Sequence, residues 1–387
     1  MNIIEKDNAF IASTYARFPI VIEKGKGSVL IDQNGKEYID MQTGIAVNTF
    51  GVSDDKWVNA VTEQLNKIQH SSNLYYTKPC TDLAEILTTR TGLKKVFFSN
   101  SGAEANECAI KVARKYAADK KGKEYNTIIT LKNSFHGRTI TTLAATGQDV
   151  FHNDFLPLTD GFVYCEANNI EDLEEKVNNN KVCAIMFEFV QGEGGVLPLE
   201  KNFVDKIFEI AKQNDILTIA DEVQTGNGRT GELYAFINYG VLPDIVSTAK
   251  GLGNGLPLGA TMFGEKTKDV LNFGSHGSTF GANPVACAGA VSVINRIDSE
   301  LLNEVKRKSE FIINSLKNAS GVKSVSGMGL MLGIETKKEI NEVINYCIEN
   351  GVLVIKAKNK VRLLPALNIP FSLLEKAVEV IKKGCAL

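Results

Sequence analysis

Ile216-Leu217-Thr218-Ile219-Ala220-Asp221-Glu222-Val223-Gln224-Thr225-Gly226 is a short apolar run that stops at two acids and a glycine. Its length, β-branched content and terminal glycine predict a buried strand rather than a helix. Four other runs read the same way: Lys95-Val96-Phe97-Phe98, Thr127-Ile128-Ile129-Thr130-Leu131, Cys183-Ala184-Ile185-Met186-Phe187 and Asp244-Ile245-Val246-Ser247. Longer helical patterns alternate with them; after the first, Ala105, Ala109, Val112 and Ala113 recur at helical spacing. Apolar strands alternating with helices predict an α/β chain with a mostly parallel sheet covered on both faces.

The chain ends read differently. Residues 20–40 predict short antiparallel strands around turns at Lys24-Gly25 and Asn34-Gly35. Beyond 290 the pattern predicts a helix over 291–318, strand pieces near 322–335, a helix near 337–350 and a last helix over 371–384. The expected division is a large domain over 48–290 and a smaller α+β domain built from 1–47 and 291–387.

Composition removes several function classes. A chain of 387 residues buries enough surface to need no disulfide or metal staple. Forty-three basic against 45 acidic residues argue against nucleic acid or a membrane surface as partner. No apolar run approaches the ~20 residues that span a bilayer. The opening Met1-Asn2-Ile3-Ile4-Glu5-Lys6-Asp7 is charged and lacks the apolar centre of a signal peptide. Seven cysteines without a Cys-x-x-Cys predict reduced thiols in a cytoplasmic protein. Of four histidines, none stands at metal-ligand spacing, so no metal is expected.

Three stretches carry chemistry. Ser99-Asn100-Ser101-Gly102-Ala103-Glu104-Ala105 follows one strand and opens a helix, where free amides and the dipole suit a phosphate. Asp221 falls at the carboxyl end of another strand, where open α/β sheets bind ligands. Lys250 lies just past a third, in Ser247-Thr248-Ala249-Lys250-Gly251-Leu252-Gly253-Asn254-Gly255, a turn shaped for close approach. Each has a plainer reading alone: a serine N-cap, a capping aspartate, a solvated lysine. Together, a phosphate cradle, a carboxylate and a lysine are what pyridoxal 5′-phosphate requires: the lysine for a Schiff base, the acid to keep the pyridine nitrogen protonated.

At this point the sequence resembles the class III aminotransferases, of fold type I, over almost its whole length. The matching motifs are Ser-Asn-Ser-Gly-Ala-Glu-Ala-Asn-Glu (99–107), Ser-Phe-His-Gly-Arg-Thr (134–139), Gln-Gly-Glu-Gly-Gly (191–195), Asp-Glu-Val-Gln-Thr-Gly (221–226), Lys-Gly-Leu-Gly-Asn-Gly-Leu-Pro-Leu-Gly-Ala (250–260) and Gly-Ser-Thr-Phe-Gly-Ala-Asn-Pro (277–284). The resemblance implies that Lys250 is the Schiff-base lysine and proton shuttle, and that Asp221 pairs with the pyridine nitrogen. Gly102 and Ala103 would donate amides to the phosphate, with Ser101 beside them. Phe135 and Val223 would pack on the two ring faces, Gln224 would bond the ring 3′-oxygen, and Glu222 would belong to the same cofactor site. Thr279 would reach the phosphate of a neighbouring subunit, which implies at least a homodimer with active sites at the interface.

The resemblance also implies a substrate class. Arg138 and Arg362 fall on carboxylate-binding positions, Ser278 stands at the substrate site, and Glu193 would neutralise Arg362 when the other substrate is bound. An arginine on an apolar strand such as Lys360-Val361-Arg362-Leu363 needs an anionic partner if buried. Within the class, Gly44-Ile45-Ala46-Val47-Asn48, His70-Ser71-Ser72-Asn73-Leu74-Tyr75-Tyr76 and Phe135-His136-Gly137-Arg138 are most similar to the acetylornithine branch. The ornithine branch has a tyrosine near the position of Ile45. The implied reaction moves the δ-amino group of N2-acetyl-L-ornithine to 2-oxoglutarate, a step in arginine synthesis. N-succinylornithine, N-succinyl-diaminopimelate, ornithine and 4-aminobutyrate are the rival donors. A non-catalytic regulator is disfavoured by intact Lys250 and Asp221, and a lyase or racemase by Glu193 with Arg362. Two departures from the family pattern, Gly51-Val52-Ser53-Asp54-Asp55 and Phe189-Val190, bear on local packing.

Overall fold

A computed structural model describes residues 1–387. The central sheet has seven strands in the order Lys95–Ser99, Gly259–Phe263, Ile245–Thr248, Leu217–Asp221, Val182–Phe187, Thr127–Leu131, Phe162–Cys165. Every residue of Val182–Phe187 and of Leu217–Asp221 is buried, as continuous apolar strands covered on both faces must be. All five expected strands are present, and their pairings from Ile245–Thr248 to Phe162–Cys165 are parallel. Two strands were not singled out from the sequence, Phe162–Cys165 and Gly259–Phe263. The latter inserts antiparallel to both of its neighbours. Two reversals in series restore the direction, so Ser99, Asp221 and Thr248 all end at the same edge of the sheet. That carboxyl edge is where open α/β sheets hold ligands.

Helix Gly102–Lys120 covers one face through Ala105, Cys108, Ala109, Val112, Ala113 and Tyr116, all buried. Their spacing of three and four residues makes one stripe. The stripe is mostly small residues, so the helix sits close to the sheet and its N-terminus meets the carboxyl edge.

Both chain ends meet in a second apolar core that joins Met41 to Val305, Leu332, Val361 and Ile381. One small sheet pairs Ile22–Lys26, Val29–Asp32 and Glu37–Asp40 with Val352–Leu353. Another orders Val322–Met328, Met331–Thr336, Lys360–Leu363 and Ile355–Ala357. Two expectations need correction. The first hairpin turns at Gly27-Ser28, while Lys24 and Gly25 lie inside a strand. Gly25 is there because a Cβ would stand 2.7 Å from the Val29 carbonyl oxygen. The single helix expected over 291–318 is two, Pro284–Ile294 and Ser299–Leu316, because Asp298 caps a new start by accepting the Leu301 amide at 2.9 Å.

The departure at 51–55 is built into local packing. Asp54 caps Asp55–Leu65 through the Trp57 amide and pairs bidentately with Arg296, at 2.8 and 3.1 Å. The Arg296 guanidinium in turn lies 3.9 Å from the Phe50 ring centre. Phe189, at the other departure, fills the core between Phe187 and Tyr239. All seven cysteines are free. No helix is long and apolar enough to cross a membrane.

Candidate active site

A cavity of about 440 Å³ opens at the carboxyl edge of the sheet. Ser101, Gly102, Ala103, Phe135, Arg138, Asp221, Val223, Gln224 and Lys250 line it, so nine of the expected site residues converge there from four separate chain segments.

The anion wall is the start of helix Gly102–Lys120. Ser101 caps it, its hydroxyl accepting the Glu104 amide at 3.2 Å. The amides of Gly102 and Ala103 have no acceptor within the helix, and the dipole adds positive charge at that end. Gly102 is required sterically: a Cβ would stand 2.7 Å from Val223 Cγ1.

Asp221 forms the floor and is 4% exposed. Its Oδ2 accepts from His136 Nδ1 at 2.8 Å and Asn106 Nδ2 at 2.7 Å, and its Oδ1 accepts the Val223 amide at 3.0 Å. These three donors fix the direction of the carboxylate. His136 and Asn106 were missed by sequence reasoning. His136 lies inside the quoted 134–139 motif, but only the fold brings it to Asp221.

Lys250 follows the Ile245–Thr248 strand, neighbour of the strand that ends in Asp221. Its φ of +45° is a left-handed conformation that costs a non-glycine residue on the order of 1–3 kcal/mol and collects at functional sites. Asn227 supports the approach to it, donating to Thr248 Oγ1 at 3.1 Å and to the Ala249 carbonyl at 3.2 Å. Burial pushes the Lys250 amine below the usual lysine range; Glu193 opposes that shift and Arg362 adds to it. A lysine with a lowered pKa holds more of the neutral, nucleophilic amine.

Arg362 sits on the Lys360–Leu363 strand and is 2% exposed. Its Nη1 and Nη2 donate to Glu193 at 2.6 and 3.2 Å, and Nη1 also to Gln224 Oε1 at 3.2 Å. Its Nε is buried without a partner. Burial alone would raise the Glu193 carboxyl, but Arg362, helped by Lys250 and Gln224, more than offsets this and holds it below the usual range. Arg138 is different: it is exposed at the cavity mouth, with its guanidinium 4.7 Å from the Phe151 ring centre and 5.6 Å from that of Phe135.

Five expected residues do not line the cavity: Glu193 and Arg362, which adjoin it through Gln224, and Glu222, Ser278 and Thr279, which lie elsewhere. Glu222 does not line the cavity. Neighbours along a strand point to opposite sides, and its carboxylate accepts from Thr225 Oγ1 at 2.5 Å and the Phe236 amide at 2.8 Å. Ser278 and Thr279 line smaller pockets, where Ser278 Oγ accepts from Asn100 Nδ2 at 3.2 Å. No cluster of His, Cys, Asp and Glu could hold a metal ion.

The residues present fit pyridoxal 5′-phosphate. Free helix amides face one end, an anchored carboxylate the floor, a lysine amine the side wall, and Gly102 leaves room that a Cβ would take.

Comparison with known proteins places the chain in a family. The family described as "Aminotransferase class-III" matches residues 10–384. The acetylornithine aminotransferase of Haemophilus ducreyi is 48% identical over 97% of this chain and 96% of its own. The N-acetylornithine aminotransferase structure from Stenotrophomonas maltophilia K279a superposes with a TM-score of 0.86 at 32% identity, covering 99% of this chain and 98% of that one. The ornithine aminotransferase of Toxoplasma gondii ME49 superposes with a TM-score of 0.95 at 31% identity, covering 99% and 94%. Backbone likeness therefore spans both donor branches. With the lysine, the aspartate and the helix N-terminus converging on one cavity, the chain belongs to the class-III aminotransferases.

Proposed function

We propose that this protein moves the δ-amino group of N2-acetyl-L-ornithine to 2-oxoglutarate, giving N-acetyl-L-glutamate 5-semialdehyde and L-glutamate, with pyridoxal 5′-phosphate as cofactor. Bound, the cofactor supplies an electron sink for the bond broken at the substrate carbon. Lys250 would hold it covalently and, when displaced, its Nζ would move the proton of the reacting carbon. Asp221 would keep the pyridine nitrogen charged, the Gly102 and Ala103 amides would take the phosphate, and Phe135, Val223 and Gln224 would hold the ring.

The observation that carries the substrate reading is the unequal state of the two arginines. Arg138 stands open at the mouth, while Arg362 is closed on Glu193. The amino donor reacts at an end that bears no carboxylate, so an unpaired buried Arg362 would be costly there, and Glu193 satisfies it. Glutamate and 2-oxoglutarate carry a carboxylate next to the reacting carbon, and this displaces Glu193 to form a bidentate pair. Arg138 takes the remote α-carboxylate of the donor. Ile45 offers no hydrogen bond to a free α-amine, which favours the acetylated donor.

The same reading includes a homodimer in which Thr279 serves the phosphate site of a neighbouring copy, Ser278 at the substrate site, the division at 48–290, and a cytoplasmic setting in keeping with seven free cysteines. Borohydride reduction of the holoenzyme followed by peptide mass analysis tests the cofactor link: the label belongs on Lys250, and a label elsewhere or none overturns it.

A further inference from the structure

Glu188 is a buried carboxylate in the cavity wall that none of these roles uses. It follows the Val182–Phe187 strand and is 5% exposed. Its Oε2 accepts the Phe135 amide at 3.0 Å and its Oε1 accepts the Gly192 amide at 3.2 Å. The two donors lie on different chain segments, Phe135 in the cavity lining and Gly192 outside it. Phe135 stands three residues before Arg138. Gly192 immediately precedes Glu193, which holds Arg362. Gly192 is itself pressed against Gln224, where a Cβ would stand 2.6 Å from the amide carbon.

We propose that Glu188 is a positioning residue that fixes the spacing between the Arg138 and Arg362 subsites and so serves both substrates. This rests on the two-arginine reading above and adds a residue that couples its halves. An ionised carboxylate accepts through both oxygens, whereas a neutral carboxyl must place a hydroxyl against one of the two amides. Both ties are therefore made well only in the ionised form. The titratable groups around Glu188 are His136 from the Phe135 loop, Asp221 from the neighbouring strand end and Lys250 from the glycine-rich turn. Burial raises the Glu188 carboxyl to about 7, with His136 opposing the rise and Asp221 adding to it. Carboxylate binding should accordingly weaken as pH falls from 8 to 6.

The test uses holoenzyme, wild type and Glu188→Gln, which keeps one good acceptor and turns an amide NH2 against the other N–H. Steady-state kinetics are measured with N-acetylornithine and 2-oxoglutarate. Glutarate, an unreactive dicarboxylate, is titrated by the change in the visible band. The expected result is a rise of about tenfold in both KM values with kcat within about threefold, the cofactor band retained, and a pH-flat glutarate affinity. A rise in one KM only, loss of the band, or a wild-type pH profile surviving in the variant would overturn the proposal. Should the variant not fold, the wild-type titration still decides: glutarate affinity unchanged between pH 8 and 6 overturns it. Wild type that binds glutarate yet leaves N-acetylornithine untouched overturns the donor reading alone, and the glutarate arm still tests Glu188.

Discussion

Removing Arg362 should split the two half-reactions. The Arg362→Ala change deletes two charge-assisted hydrogen bonds, at 2.6 and 3.2 Å, that Glu193 now receives. On the two-arginine reading the α-carboxylate of 2-oxoglutarate takes them over. Each such bond contributes about 1.5–3 kcal/mol net. Displacing Glu193 sacrifices part of that gain, which leaves about 3 kcal/mol, or on the order of 10²-fold in kcat/KM for 2-oxoglutarate and glutamate. The N-acetylornithine half does not use Arg362 for its carboxylate and should stay within about tenfold of wild type. Removing Arg362 also removes one of the influences that hold the Lys250 amine down, so in the cofactor-free protein that amine should titrate at higher pH than in wild type. Arg138→Ala should show the opposite split, slowing the N-acetylornithine half most. Single-turnover absorbance changes of the bound cofactor read each half alone. Equal losses from both mutations in both halves would refute the assignment.

Lys250→Ala should remain folded and still bind cofactor noncovalently, but lose the borohydride-trapped label and nearly all turnover; retained turnover would give the shuttle to another base. Asp221→Asn replaces the carboxylate by an amide against His136 and Asn106. Breaking a buried charged contact costs on the order of 3–5 kcal/mol, to be seen as weaker cofactor retention on dialysis and slower proton abstraction; normal values of both would assign the nitrogen to another acid. Burial raises the Glu222 carboxyl to about 7, above its unfolded value. Its contribution to stability is thus full below about pH 4.5 and is lost as pH rises through 7. Melting scans of Glu222→Gln should show a smaller fall between pH 5 and 8 than wild type, and an unchanged fall would contradict the reading.

The central strands were legible because burial on both faces writes them as unbroken apolar runs, as in Cys183–Phe187. Gly259–Phe263 was not, since it begins inside a glycine-rich stretch that reads as a turn. Lys250 and Asp221 were legible because each sits just past an apolar run, at a strand end. Glu222 shows the limit of motif reading: adjacency to Asp221 in sequence sends its side chain to the other side of the strand. His136 and Asn106 lie inside quoted motifs and Glu188 just past a strand, but nothing local gave them a role: the contacts of His136 and Asn106 with each other and with Asp221 join residues 30 to 115 positions apart, and Glu188 reaches the Phe135 amide across 53.

The most direct test of the donor reading is a panel of amino donors with 2-oxoglutarate, scored by glutamate formed: N-acetylornithine, N-succinylornithine, N-succinyl-diaminopimelate, ornithine and 4-aminobutyrate. Ile45 gives a charged α-amine no acceptor, and a hydrogen bond to a charged group is worth about 1.5–3 kcal/mol. N-acetylornithine should therefore give the highest kcat/KM, with ornithine lower by tenfold or more. Faster turnover of ornithine or 4-aminobutyrate, or no glutamate from any donor, would contradict the account.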